Sequence, residues 1–276
     1  MKSQSEVNQA VKTDRPLVHR TNVLGVGISV INMNDALELS DSLIKSRDRH
    51  YVCVTDVHTV IEAQSDAGFR AILNNSYMTT PDGMPLVWVG RLQGHKNMRR
   101  VYGPDYLMEM CRVSVERGYR HFFFGGKPGV ADRLVAELQQ KFPGIAIAGT
   151  YTPPFRPLTR SEEDELEDLV AQATPDVFWV GLGSPKQERF MAKYCGRLET
   201  KLMVGVGAAF DIHSGSVKEA PKWLKDAGLQ WLHRLVQEPR RLWKRYLICV
   251  PGFIWNIGLQ FLGVRRLSAE ARPGVL

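Results

Sequence analysis

From about residue 21 to residue 210, short β-branched or aromatic runs alternate with longer stretches whose apolar positions recur at helical spacing. Continuous apolar runs of strand length between amphipathic helices point to a parallel sheet with covering helices. The pattern predicts strands over 23–29 (VLGVGIS), 51–55 (YVCVT), 77–80 (YMTT), 121–126 (HFFFGG), 145–151 (IAIAGTY), 177–183 (VFWVGLG) and 202–207 (LMVGVG). It predicts helices over 33–47, 58–75, 84–94, 104–117, 129–142, 161–173 and 185–196. Start signals support several of them: Pro104 after Gly103, Pro128 before GVADRLVAELQQ, and Thr159 before SEEDE. That acidic run reads as a solvated first turn favoured by the helix dipole, not a metal site. The proline-rich YTPPFRPL (151–158) reads as a loop.

Beyond Lys218 the pattern changes. Four of the six tryptophans, Trp223, Trp231, Trp243 and Trp255, stand among Lys and Arg, and an uncharged stretch runs from Tyr246 to Val264. Pro251, Gly252, Asn256, Gly258 and Gln260 make this stretch a poor transmembrane helix. Two readings stay open: embedding at a lipid interface beside basic residues, or a C-terminal helix packed on the core. The chain thus divides into a flexible N-terminal segment (1–20), an α/β core (21–217) and a basic, Trp-rich helical appendage (218–276).

Charge sharpens this division. The net charge is +7, yet residues 1–217 carry 25 Lys+Arg against 25 Asp+Glu, while residues 218–276 carry 11 against 4. A neutral body with a basic end points to an anionic membrane surface met by the end alone, not to nucleic acid. The four cysteines, Cys53, Cys111, Cys195 and Cys249, show no metal-ligand spacing and no disulfide framework. The N-terminus has no apolar h-region, so the expectation is a cytoplasmic protein, peripheral on the inner membrane face.

Ligands of parallel sheets bind where strands end at their C-terminal edge. Gly125 and Gly126 in FFFGGKPGV, Gln187 in VGLGSPKQERF, and Gly205 with Gly207 in VGVGAAFD stand at such ends. Backbone amides and helix N-termini there suit a diphosphate, though turn geometry alone also explains the glycines. Ser184 and Gln187 have capping-box spacing, which leaves Gln187 either a helix cap or a contact to a nucleotide base or phosphate. In TTPDGMPLVW, Asp82 is either a turn residue or a general base for an alcohol nucleophile. Thr55, Asp56 and His58 end another strand, with His58 the weakest of these candidates. The chain has no GxSxG, HExxH, Walker, kinase or DxD motif, so amides, helix ends and arginines must meet any phosphates.

TPDGMPLVW, RVYGPDY, FFFGGKPG, VGLGSPKQERFM and VGVGAAFD, in this order, resemble the WecG/TagA/CpsF family of bacterial glycosyltransferases, glycosyltransferase family 26, over about residues 23–245. The resemblance implies a Rossmann-like, mostly parallel sheet with helices on both faces, a UDP-sugar donor and inversion without a metal or other cofactor. It implies an acceptor sugar on a polyprenyl diphosphate at the cytoplasmic membrane face. By motif, Asp82 is the implied base, Thr55 a donor or acceptor contact, and Gly125, Gly126, Gln187, Gly205 and Gly207 the UDP pocket. Arg234, Arg240, Arg241 and Arg245 resemble the arginines of an appendage that closes over the site and touches lipid or diphosphate. The chain departs from many relatives at TDVHT, where they carry an Asn-containing strand end. Its long tail resembles exopolysaccharide members. A homo-oligomer stays open, and two rivals stand beside this reading: a dinucleotide-dependent oxidoreductase, which lacks its GxGxxG turn here, and a non-enzymatic module that binds membranes or polyanions through the tail.

Overall fold

The computed structural model describes residues 18–221, 223–224, 228–265 and 267–269, and gives the side chains of Arg241, Lys244 and Arg245 no placement. The expected flexible segment 1–20 therefore lies outside the described residues up to residue 17. Six strands form one parallel sheet: β3 (His50–Thr55), β4 (Met78–Pro81), β5 (Arg120–Gly125), β6 (Ala146–Tyr151), β7 (Val177–Gly181) and β8 (Leu202–Gly205). Their order across the sheet is β4-β3-β8-β7-β5-β6, so every strand presents its C-terminal end on one edge.

The sheet is apolar on both faces. Phe123, Trp179, Val52 and Val204 enter one core, while Phe122, Phe124, Phe178 and Met203 enter the other. The two Phe rings of Phe122 and Phe178 stack at 5.1 Å. Truncating a buried aromatic of this kind costs roughly 3–5 kcal/mol. His121 is fully buried and stacks with Phe123 and Trp179, its Nδ1 accepting from Trp179 Nε1 at 3.0 Å, and burial pulls its pKa down to about 3. It is a neutral packing residue.

Helices α1 (Met33–Lys45), α2 (Val57–Ser65), α3 (Ala67–Asn75), α4 (Met84–Leu92), α5 (Gly103–Arg117), α6 (Val130–Lys141), α7 (Arg160–Ala173), α8 (Lys186–Tyr194) and α9 (Ala209–His213) connect and cover the strands. The acidic turn is the solvated helix start expected of it, closed by a Thr159–Glu162 capping box. Three expectations are corrected. The predicted strand 23–29 is instead the second half of an antiparallel hairpin, β1 (Arg20–Val23) and β2 (Val26–Ser29), separate from the sheet. Leu24 and Gly25 both have positive φ, the conformation a two-residue hairpin turn requires. The predicted helix 58–75 breaks at Asp66, which is extended and caps α3 by accepting from the Phe69 amide at 2.8 Å. The Ser184–Gln187 capping box does not form, because Pro185 caps α8 without a side-chain bond. Arg234 and Arg241 lie on different helices. The chain turns at Glu238 between α10 (Gln230–Gln237) and α11 (Pro239–Phe261), since Pro239 has no amide to continue the first helix.

The packed reading of the tail is realised on one face of α11. One face of α11 packs on α2 and the hairpin: Phe253 and Ile257 are buried, and Gln260 accepts from the Leu24 amide at 2.7 Å. The other face leaves Leu247, Ile248, Ile254 and Trp255 exposed. No described helix is long and apolar enough to cross a membrane.

Candidate active site

The loop after β4 is fixed by its neighbours. The Asp82 amide donates to the Thr55 carbonyl at 2.9 Å, and Val101 N donates to the Pro81 carbonyl at 2.9 Å. Asp82 Oδ1 accepts from the Gly103 amide at 2.8 Å, and Arg100 Nε donates to the Asp82 carbonyl at 2.5 Å. Among the described residues no hydrogen bond holds the second carboxylate oxygen. Burial pushes the Asp82 carboxyl above the usual aspartate range and Asp56 pushes the same way, while Arg100, the Gly103 amide and Arg234 oppose them. This is a half-buried carboxylate whose orientation is set and whose proton affinity is enhanced.

Asp82 lines a cavity of about 440 Å³ between α4 and the two tail helices. Its polar end holds Asp56, Asp82, Arg100 and Arg234; its walls are apolar, including Trp88, Leu92, Val250, Phe253 and Ile257. The tail is latched at this mouth. Arg100 donates to Gln230 Oε1 at 2.6 Å, the Gln230 amide donates to the Tyr102 hydroxyl, and the Arg100 guanidinium lies 4.2 Å over the Tyr102 ring. Gln230 is buried in the process. The cavity is therefore half made by the sheet and half by the appendage.

The sequence candidates fall into distinct groups. Asp82 and Arg234 share the cavity. Thr55 is fully buried under the Asp82 loop, its hydroxyl turned to the Cys53 carbonyl at 3.3 Å and its own carbonyl accepting from the Asp82 amide. Gly125 and Gly126 lie across the sheet, four strand spacings or roughly 19 Å from β4. A Cβ on Gly125 would come within 2.7 Å of the Gly181 backbone, and the Gly126 amide already donates to the Gly181 carbonyl at 3.1 Å. Close strand packing thus accounts for this pair, and the Gly126 amide is committed. Gln187 is buried beside Gly205 and Gly207, two strands nearer to Asp82. Arg240 is exposed, and the side chains of Arg241 and Arg245 lie outside the described residues. Among the described residues no group of His, Cys, Asp and Glu could hold a metal ion.

Three site residues have no counterpart in the sequence reading. Arg100 stood in RVYGPDY without a role, although a cation just ahead of a Gly-Pro helix start was a usable signal. Gln230 carries no motif at all. Glu188, next to Gln187, has no exposed surface, and burial pushes its pKa up to about 7, with Asp56 adding to the shift against bonds from its own amide, Gln187 and Ser184.

A model of the glycosyl transferase WecG/TagA/CpsF family matches residues 21–267, a span that contains the Asp82 loop, the Gln187 turn and both tail helices. The chain belongs to this family. Two relatives, from Bacillus spizizenii and Bacillus subtilis strain 168, are each named an N-acetylglucosaminyldiphosphoundecaprenol N-acetyl-beta-D-mannosaminyltransferase. The first is 32% identical over 212 residues, 77% of each chain. The second is 31% identical over 224 residues, 78% of this chain and 85% of the relative. As a WecG/TagA/CpsF member the protein is a glycosyltransferase, and Asp82, Arg100 and Gln187 are to be read against that chemistry.

Proposed function

We propose that the protein transfers a hexose or N-acetylhexosamine from a UDP-sugar to a sugar carried on a polyprenyl diphosphate, with inversion, in exopolysaccharide or other cell-envelope polysaccharide synthesis. The observation that carries this reading is the fixed, proton-seeking Asp82 at the polar end of an otherwise apolar cavity, beside Arg100 and Arg234. A water-soluble acceptor would have no use for such walls; an isoprenoid diphosphate matches both ends, chain against Trp88, Phe253 and Ile257, phosphates toward Arg100 and Arg234. The acceptor class also follows the names of the two Bacillus relatives.

In the reaction, the free oxygen of Asp82 takes the proton of the acceptor hydroxyl as that oxygen attacks the anomeric carbon, and the bond to UDP breaks on the opposite face. A single carboxylate suffices for this displacement, whereas a retaining mechanism would need a second one about 5 Å away. Charge developing on the departing diphosphate is met by arginines, Arg234 among them, and by amides at the strand ends. The exposed apolar face of α11 and the basic tail seat the enzyme on the inner membrane face, where its acceptor resides.

The test is transfer from a panel of UDP-sugars to a polyprenyl-diphosphate-linked N-acetylglucosamine in detergent. Formation of a lipid-linked disaccharide from one donor supports the reading. Failure of every UDP-sugar, together with tight binding of NAD, would replace it with the oxidoreductase.

A further inference from the structure

Gln187 is 3% exposed, and its Oε1 has no hydrogen-bond partner among the described residues. A buried amide oxygen left unpaired costs about 1–3 kcal/mol, so the cause of its orientation matters. Its Nε2 donates to Glu188 Oε1 at 3.0 Å. Glu188 is fully buried and also receives the Ser184 hydroxyl, which lies 3.3 Å from Thr59 Oγ1; Thr59 in turn donates to Asp56 Oδ1 at 2.9 Å. A chain of polar side chains from two strand–helix junctions, β3–α2 and β7–α8, therefore pins the amide by its nitrogen.

The oxygen points where side chains are missing. A Cβ on Gly207 would lie 3.4 Å from Oε1 and 3.7 Å from the Gly183 Cα, and a Cβ on Gly205 would lie 3.0 Å from the Gln187 amide. Gly183, with nothing within 4 Å of its Cβ position, and Gly207 thus border a hollow beside this one acceptor, while the Gly205 side is filled by Met191 Cε and the Gln187 amide itself. A phosphate oxygen there would meet Oε1 lone pair to lone pair, so the hollow favours a group that donates a hydrogen bond.

We propose that Glu188 is a positioning residue: it holds the Gln187 amide so that Oε1 accepts an O–H or N–H of the bound sugar nucleotide. The inference rests on the UDP-sugar reading above and adds to it the orientation of Gln187 and the residue that sets it. The donating group belongs either to the uridine, through its imide or ribose, or to the hexose, through a hydroxyl or acetamido N–H.

The experiment measures calorimetric affinities of the full chain at pH 8 for UDP and for UDP-N-acetylglucosamine. It compares wild type, Gln187→Ala, Glu188→Gln, Glu188→Met and the double variant Gln187→Ala/Glu188→Gln. Losing one such hydrogen bond weakens binding about tenfold, and Gln187→Ala is expected to do so. Glu188→Gln keeps the shape but offers an amide that can donate to Oε1, so the lock is lost and several-fold of the same effect follows. Glu188→Met, with nothing to hold the amide, repeats it should the glutamine variant not fold. The double variant is expected to bind no more weakly than Gln187→Ala alone, because Glu188 acts only through Gln187. Weakening already seen with UDP assigns the contact to the uridine; weakening confined to the sugar nucleotide assigns it to the hexose. Wild-type affinity in both Glu188 variants, or additive losses in the double variant, would overturn the inference alone. A wild-type chain that binds neither ligand would overturn the UDP-sugar reading and the inference with it.

Discussion

Asp82 and Glu188 both stand just past the ends of parallel strands, and burial raises both carboxyls, yet they face opposite surroundings. Asp82 is half-buried and lines a cavity with one oxygen unbonded; Glu188 has no exposed surface, its Oε1 accepting from Gln187 Nε2 and its Oε2 sealed in the interior without a partner among the described residues. A perturbed carboxyl therefore marks a functional region without saying which role it plays. Access decides that: a base must reach the proton it removes, whereas a sealed carboxylate can only orient its neighbours.

The comparison breaks most easily at Asp82. Asp82→Asn keeps the shape and the Gly103 contact but cannot take a proton, so turnover should fall about 10²–10⁴-fold while UDP affinity stays within about twofold. Near-wild-type turnover would make Asp82 a support residue like Glu188. The next largest effect concerns the wall that gives Asp82 its cavity. Gln230→Ala removes the latch to Arg100 and Tyr102, and the KM for the lipid-linked acceptor should rise about tenfold with UDP affinity unchanged. An unchanged KM would detach the appendage from the site.

The two carboxyls also differ in what pH reads. Asp82 acts only when ionised, so activity should fall as pH drops through its raised pKa, with an acid limb above the ordinary aspartate range. Glu188 contributes to stability instead. Its folded pKa near 7 exceeds the unfolded carboxylate value, so the native state binds the extra proton between them. Stability from this group is complete at low pH and is lost as pH rises toward 7. Urea midpoints of wild type minus Glu188→Gln across that window should show this slope, and a flat difference would contradict it. The smallest expected effect concerns the exposed side of α11. Replacing the exposed Ile254 and Trp255 by Ser should lower partitioning onto anionic vesicles several-fold without moving the melting temperature by more than a few degrees; equal partitioning would leave α11 only its packing role.

What the sequence made legible follows from which forces are local. Strands β3, β5, β7 and β8 announced themselves because both faces are buried, which forces nearly continuous apolar runs. Asp82 was legible because a carboxylate between Pro and Gly after a strand is an unusual place to spend a charge. The hairpin was hidden because Leu24 adopts a turn conformation that asparagine or glycine normally signals. Gly125 and Gly126 read as a phosphate cradle from sequence, and the fold adds a packing reason for Gly125, the approach of the Gly181 backbone, a long-range contact invisible in one strand. Arg100, Gln230 and Glu188 were missed for the same reason: each acquires its role from a partner brought in by the fold, across 130 positions in the case of Arg100 and Gln230.

The contrast between the two carboxyls is tested most directly by single-turnover transfer with each variant saturated with donor, saturation being set from its own binding curve. The account predicts that Glu188→Gln then forms the glycosidic bond within a few-fold of wild type, while Asp82→Asn stays slow by about two orders of magnitude or more. A saturated Glu188→Gln that remains as slow as Asp82→Asn, or an Asp82→Asn that turns over at the wild-type rate, would contradict it.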